Sequence, residues 1–282
     1  MAMLDWSTPP LYEMYFPGER PPGPDRLTEL FGPVQVTPRE GAWVARIEGL
    51  AGCVAEVMCP PEPAKDNRPV VDAAWGLSKE ERDRIGAARA HLVVRVHPGE
   101  GPVLSTRKRS LGALGELMRL GAVGAVDLAS SRVWSAPAIE DELMTDADLD
   151  VESLYCIHCV RGDDGEPRWI HTHGLGELGG FDVDLLAPSE GTCHAASTLI
   201  RALAYAIIEE LIVVDEPSFE LARPGGVVRM VPAAEFDARA EPRYAALRDL
   251  RDAGHTENRA VLCEPARKGF SLFRRGPDRP EP

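Results

Sequence analysis

The chain lacks any long uninterrupted apolar run. Its most apolar segment, STLIRALAYAIIEELIVV (197–214), is broken by Arg201, Glu209 and Glu210. A bilayer centre penalises such charges heavily, so no spanning helix is expected. The first 26 residues, MAMLDWSTPPLYEMYFPGERPPGPDR, lack a basic start, an apolar stretch and a small-residue cleavage site. No secretory signal is therefore expected, and the expected location is the cytoplasm. Cysteine is sparse: six residues scattered through 282 cannot staple a disulfide scaffold, and reduced thiols are expected. Positive charge is also short, with 31 Lys and Arg against 45 Asp and Glu. The average field repels phosphates, so neither nucleic acid nor a membrane surface is expected as a partner. The one basic run, Arg107-Lys108-Arg109, reads as the solvated opening of a helix.

What is present points to an α+β fold with mixed or mostly antiparallel sheets and packed helices, in two closely associated units. Residues 1–30, rich in Pro and Gly, read as an extended arm, because PPGPDR is expected to sustain neither helix nor central strand. An N-terminal unit follows over 31–146. Its signals are a hairpin of Trp43–Ile47 with Cys53–Met58, then a solvated loop PPEPAKDNRP. Ser78 followed by Glu81 forms a capping box that opens a helix over about 79–89. A strand HLVVRVHP, a helix with Leu111, Leu114, Leu117 and Met118 on one face, and a strand AVGAVDLA complete a crossover on the sheet. WSAPAIEDELMTDADLD reads as an acidic, proline-interrupted connection, with the unit boundary near 147.

The C-terminal unit, 147–266, contains LYCIHCV and RWIHTHG flanking RGDDGEP, a β-hairpin with Asp164-Gly165 at its tip. FDVDLLAP adds a strand. Ala196, Leu199, Ile200, Leu203, Ile207 and Leu211 recur at helical spacing and cover one sheet face. A shorter helix is expected around Tyr244 to Leu250, ending at Gly254, then a strand RAVLCEP and a flexible tail over 267–282.

The chemistry concentrates in the hairpin. With a two-residue tip, opposed positions sum to 329, which pairs His158 with His171 and Cys156 with His173 and puts all four on one face. Nitrogen and sulfur donors converging there form a feasible zinc site, with Asp184 on the next strand as a further candidate ligand. The same face supports two other readings: a packed polar network without metal, or a binding pocket built from Trp169, His171, His173 and His158. A slip of one residue at the turn would send the two strands' side chains to opposite faces. Two other patterns are weaker. Gly174, Gly176 and Gly179 follow a strand, yet what comes next is strand-like rather than the helix a dinucleotide phosphate needs, so a tight connection is expected. Cys193 and His194 near the start of the long helix have the placement of an activated thiol, but no orienting third residue can be assigned.

Two resemblances rest on these residues. The box Trp169-Ile170-His171-Thr172-His173-Gly174-Leu175, with flanking similarity over about 40–265, resembles an uncharacterised bacterial family, a domain of unknown function. That resemblance implies a soluble α+β protein and supplies no catalytic residues. His171, His173 and Asp184 also have the spacing by which zinc isopeptidases of the JAB/MPN type hold their metal. Phe181 stands where that family has Ser, and Asp184 lies in a strand rather than at a helix start. No upstream glutamate base is assigned; Glu140 and Glu142 are merely nearby. The functional expectation is a non-enzymatic binding or regulatory module whose histidine pocket takes a protein or small-molecule ligand. The alternative is a zinc-dependent hydrolase centred on the His-Thr-His box.

Overall fold

The computed structural model describes residues 9–74, 76–101, 103–144, 149–162, 164–176, 180–186, 190–209, 219–223, 226–239 and 258–265. Among these, thirteen strands form two sheets, with seven α-helices packed on them. This is the expected α+β architecture, and its sheets are mostly antiparallel.

Sheet A holds β1 (Leu11–Phe16), β2 (Gln35–Arg39), β3 (Ala42–Leu50), β4 (Cys53–Cys59), β5 (Ala90–His97), β6 (Gly124–Asp127) and β7 (Val133–Trp134). Their order is β2-β3-β4-β5-β1-β6-β7, antiparallel throughout. The expected hairpin is β3–β4, and β5 and β6 are the crossover strands. Between them lies β1, which corrects the reading of an extended arm. In LYEMYF, Tyr12, Met14 and Phe16 are buried on one face and Tyr15 on the other. That two-sided burial marks an interior strand.

The prolines of PPGPDR open a helix instead of excluding one. α1 (Pro24–Phe31) begins at PPGPDR, because Pro24 lies in the first turn, where its missing N–H would have had no partner. The same rule turns the supposed acidic connection into α5 (Ala136–Leu143). There Ser135 accepts from the Ala138 N–H at 3.4 Å and a proline again falls in the first turn. After α2 (Arg68–Ala73), α3 (Lys79–Ala87) carries the predicted capping box. Ser78 Oγ accepts from Glu81 N at 3.2 Å, and Glu81 Oε2 accepts from Ser78 N at 2.8 Å. α4 (Val103–Met118) buries Leu111, Leu114, Leu117 and Met118 as expected, but starts earlier than its sequence pattern suggests. Arg107 and Arg109 are consequently inside the helix. Arg107 is buried, and the Arg109 guanidinium donates to the carbonyls of Pro98 and Glu100.

Sheet B has the order β11-β12-β13-β10-β9-β8, and only β10 and β13 run parallel among its described pairings. Its strands are β8 (Cys156–Arg161), β9 (Pro167–His173), β10 (Val183–Leu186), β11 (Phe219–Arg223), β12 (Gly226–Pro232) and β13 (Arg259–Pro265). The hairpin β11–β12 has no counterpart in the sequence reading, although Pro224-Gly225-Gly226 between apolar runs is a turn signal. α6 (Glu190–Ile208) packs on β9, β10 and β8, burying Ala196, Ile200, Leu203 and Ile207. α7 (Ala233–Arg239) packs on β12 and β13. The expected helix around Tyr244–Leu250, the tail 267–282 and the boundary near 147 lie outside the described residues.

One apolar cluster runs from sheet A into sheet B, through Tyr12 and Leu111 to Leu154, Leu175, Phe181 and Ile200. No helix among the described residues is long and apolar enough to cross a membrane.

Leu203, 2% exposed, sits in this shared cluster. Leu203→Asp should cost about 4 kcal/mol or more by burying an unpaired charge, read as a fall in the denaturation midpoint. A midpoint unchanged from wild type would show that α6 presents a different face to the sheet.

Candidate metal centre

The hairpin that carries the histidines differs from the expected two-residue turn, yet arrives at the same pairing. Gly162 N donates to Glu166 O and Gly165 N to Gly162 O, both at 2.9 Å, and Gly165 has φ +79°. The loop between Gly162 and Glu166 is therefore three residues long, with glycine in the left-handed position. Such a loop shifts the register by one, and Arg161 indeed opposes Pro167. A bulge then intervenes: Val160 opposes Trp169, so Arg168 is the extra residue on β9. The bulge restores the sum of 329, and from there Cys159 opposes Ile170, His158 opposes His171, and Cys156 opposes His173.

Because side chains alternate along a strand, His158 and Cys156 share a face with Trp169, His171 and His173. Ile170 and Thr172 face the other way, as do Val183 and Leu185 opposite them. That is the side on which α6 lies. The three imidazoles are mutual neighbours, with ring centroids 5.4 Å apart for His158 and His171, 4.6 Å for His158 and His173, and 4.8 Å for His171 and His173. One potential ligand atom from each lies within 4.8 Å of those of the other two. Zn–N bonds of about 2.0–2.1 Å in a tetrahedron put ligand atoms about 3.4 Å apart, so modest rotation of the rings would close the set around an ion.

His171 is the buried member at 3% exposure, while His158 and His173 are half-buried. Burial holds the His158 pKa below the ordinary imidazole value, which keeps that ring neutral and its lone pair open to a metal. Burial acts oppositely on Cys156, pushing its thiol up to about 11. Cys156 is a protonated thiol beside His173 in the register. It stands outside the three-histidine group, and so does Asp184.

Asp184 is fully buried on β10, directly opposite His171. Its Oδ1 accepts from Trp169 Nε1 at 3.0 Å and from Asn258 Nδ2 at 3.2 Å. The indole so held lies over the His171 ring, centroids 3.7 Å apart and planes inclined by 37°. Asp184 therefore fixes the aromatic wall of the site. Asn258, 74 residues away in the chain, gave no signal in the sequence.

The box continues into a brace. Thr172 Oγ1 donates to Asp182 Oδ1 and accepts from Val183 N, both at 2.8 Å. The amides of Leu175 and Gly176 donate to the Asp182 carboxylate at 3.2 Å. The amides of Leu175 and Gly176, which a phosphate would need, are thus bound by the chain's own carboxylate, and Gly179 lies outside the described residues. Gly174, with φ +114°, has a further constraint. A Cβ there would lie 2.8 Å from Leu154 O and 3.1 Å from Ser130 Cα.

Cys193 and His194 are not joined to the imidazoles. Cys193 packs against the core from α6, across the sheet from the histidine face, and His194 is exposed. Cys53 is a buried filler, and Cys59 is partly buried against the same cluster; none of the described cysteines forms a disulfide. The chain matches no family model, no curated protein and no solved structure.

Gly174→Ala should cost about 3 kcal/mol, because it adds left-handed strain to a collision with backbone atoms. Urea denaturation measures this, and a loss under about 0.5 kcal/mol would mean that the two sheets do not approach as closely as described.

Proposed function

We propose that the protein is a binding or regulatory module whose ligand at the hairpin is a divalent transition metal, with zinc the first choice. His158, His171 and His173 would hold it. The observation that carries the reading is the convergence of three imidazole donors within 4.8 Å of one another on one sheet face. Imidazole nitrogen suits zinc and its first-row neighbours far better than magnesium or calcium, which take oxygen donors. Trp169, held by Asp184, walls one side of the ring set and limits rotation of His171.

A zinc hydrolase is the second reading, favoured by the number three. Three protein donors leave a fourth position for water, whose pKa a bound zinc lowers toward neutrality. Hydrolysis also needs a base to move the proton, and the described group contains only imidazoles. Asp184, the ligand implied by the isopeptidase likeness, has Oδ1 engaged by Trp169 and Asn258. The binding reading therefore ranks first.

Protein purified without a histidine tag and dialysed against limiting zinc should retain one equivalent by elemental analysis. His171→Ala should weaken binding by about 100-fold or more while the protein stays folded. Affinity should fall as the pH drops below about 6.5, since protons compete for the imidazoles, and burial displaces the loss of the His158 ligand to lower pH. Folded wild-type protein that retains no metal, or a His171→Ala variant with unchanged affinity, would overturn the proposal.

A further inference from the structure

A second polar site lies where α4, β1 and β6 of sheet A meet the chain entering sheet B. A cavity of about 20 Å³ opens there, with Tyr12, Arg107, Asp127, Ser153 and Gly174 among its lining residues. That volume accommodates a single water-sized occupant.

The lining sets a guanidinium and two hydroxyls against a single carboxylate. Arg107 is 8% exposed, yet its guanidinium makes no ion pair or side-chain hydrogen bond with any described residue. Ser153 is 5% exposed, and its buried Oγ has no partner. Tyr12, 3% exposed, brings a second hydroxyl-bearing side chain to the lining. The one carboxylate, Asp127, directs Oδ1 at the amides of Ala129 and Ser130, at 2.9 and 3.3 Å. It feels the Arg107 charge from beyond ion-pair distance. A buried hydroxyl without a partner, beside a guanidinium that makes no ion pair with a described residue, is a costly arrangement for a fold to keep.

We infer that this cavity is a binding site for a small monatomic anion of chloride size, held by Arg107 with the hydroxyls of Ser153 and Tyr12. A water accepts only two hydrogen bonds and needs acceptors for its own hydrogens. An anion accepts from every donor around it and offers none. Asp127 opposes a second negative charge, and that opposition has a consequence. Burial already pushes its carboxyl up, so a proton taken up there with the anion keeps the site neutral beside Arg107. Tyr12, the remaining ionisable group in the lining, is held neutral by burial. Anion affinity therefore rises as the pH falls.

The test is the thermal midpoint of the full chain as chloride replaces gluconate at constant ionic strength, at pH 5.5 and pH 7.5. The midpoint should rise saturably, with tighter apparent binding at the lower pH. Ser153→Ala should weaken that binding by about tenfold, and Arg107→Met should abolish it. Crystals soaked in bromide keep the inference testable if Arg107→Met fails to fold. An anomalous peak within hydrogen-bond distance of the guanidinium supports it. A cavity filled by water alone, or a midpoint indifferent to chloride at both pH values, overturns it.

Discussion

The candidate metal centre depends on one extra residue in one strand. A three-residue loop at the hairpin tip displaces the pairing by one, and Arg168, bulged from β9, displaces it back. Loop and bulge cancel, and the pleat beyond Val160 regains the parity at which His158 meets His171. With either irregularity alone, the histidines of β9 would face α6, and the apolar Ile170 would take the polar side. The fold resists that exchange from both directions. Ile170, Val183 and Leu185 are buried in the cluster that α6 covers, and Thr172 is tied to Asp182. Hydrophobic burial on one face thus fixes the orientation of the imidazoles on the other.

The surrounding structure removes freedom from the same strand. Asp184 holds Trp169, and Trp169 lies over His171, so a carboxylate one strand away restrains the ring without belonging to the histidine group. At the end of β9, Asp182 gathers the amides of Leu175 and Gly176, while Gly174 brings the chain against Leu154 and Ser130. The histidines therefore sit between a bulge and a brace. Were a metal to bind this group, the backbone of its ligands would already be set and ring rotation alone would remain.

Much of this was legible in the sequence, and the exceptions have physical causes. Alternation of His158, His171 and His173 about an Asp-Gly turn revealed the shared face, since strand periodicity is a local property. The loop length and the bulge escaped, because two opposite one-residue shifts leave the alternation unchanged. Ser78 and Glu81 announced α3 through reciprocal bonds that close within four residues. The prolines flanking β1 suggest an exposed segment, whereas its place between β5 and β6 is decided by partners far along the chain. Pro24 and the start of α5 hide their helices for a related reason, since a proline forbidden inside a helix is welcome in its first turn. Asn258 reaches Asp184 only through the parallel pairing of β10 and β13, which no local pattern encodes.

X-ray absorption at the zinc edge of the loaded protein tests the central claim most directly, because it counts donors by type at the metal itself. The account predicts light-atom ligands at about 2.0–2.1 Å with the outer-shell scattering of three imidazoles. A sulfur shell at about 2.3 Å would place Cys156 in the coordination sphere, and scattering from one imidazole or none would show that the three rings do not act together.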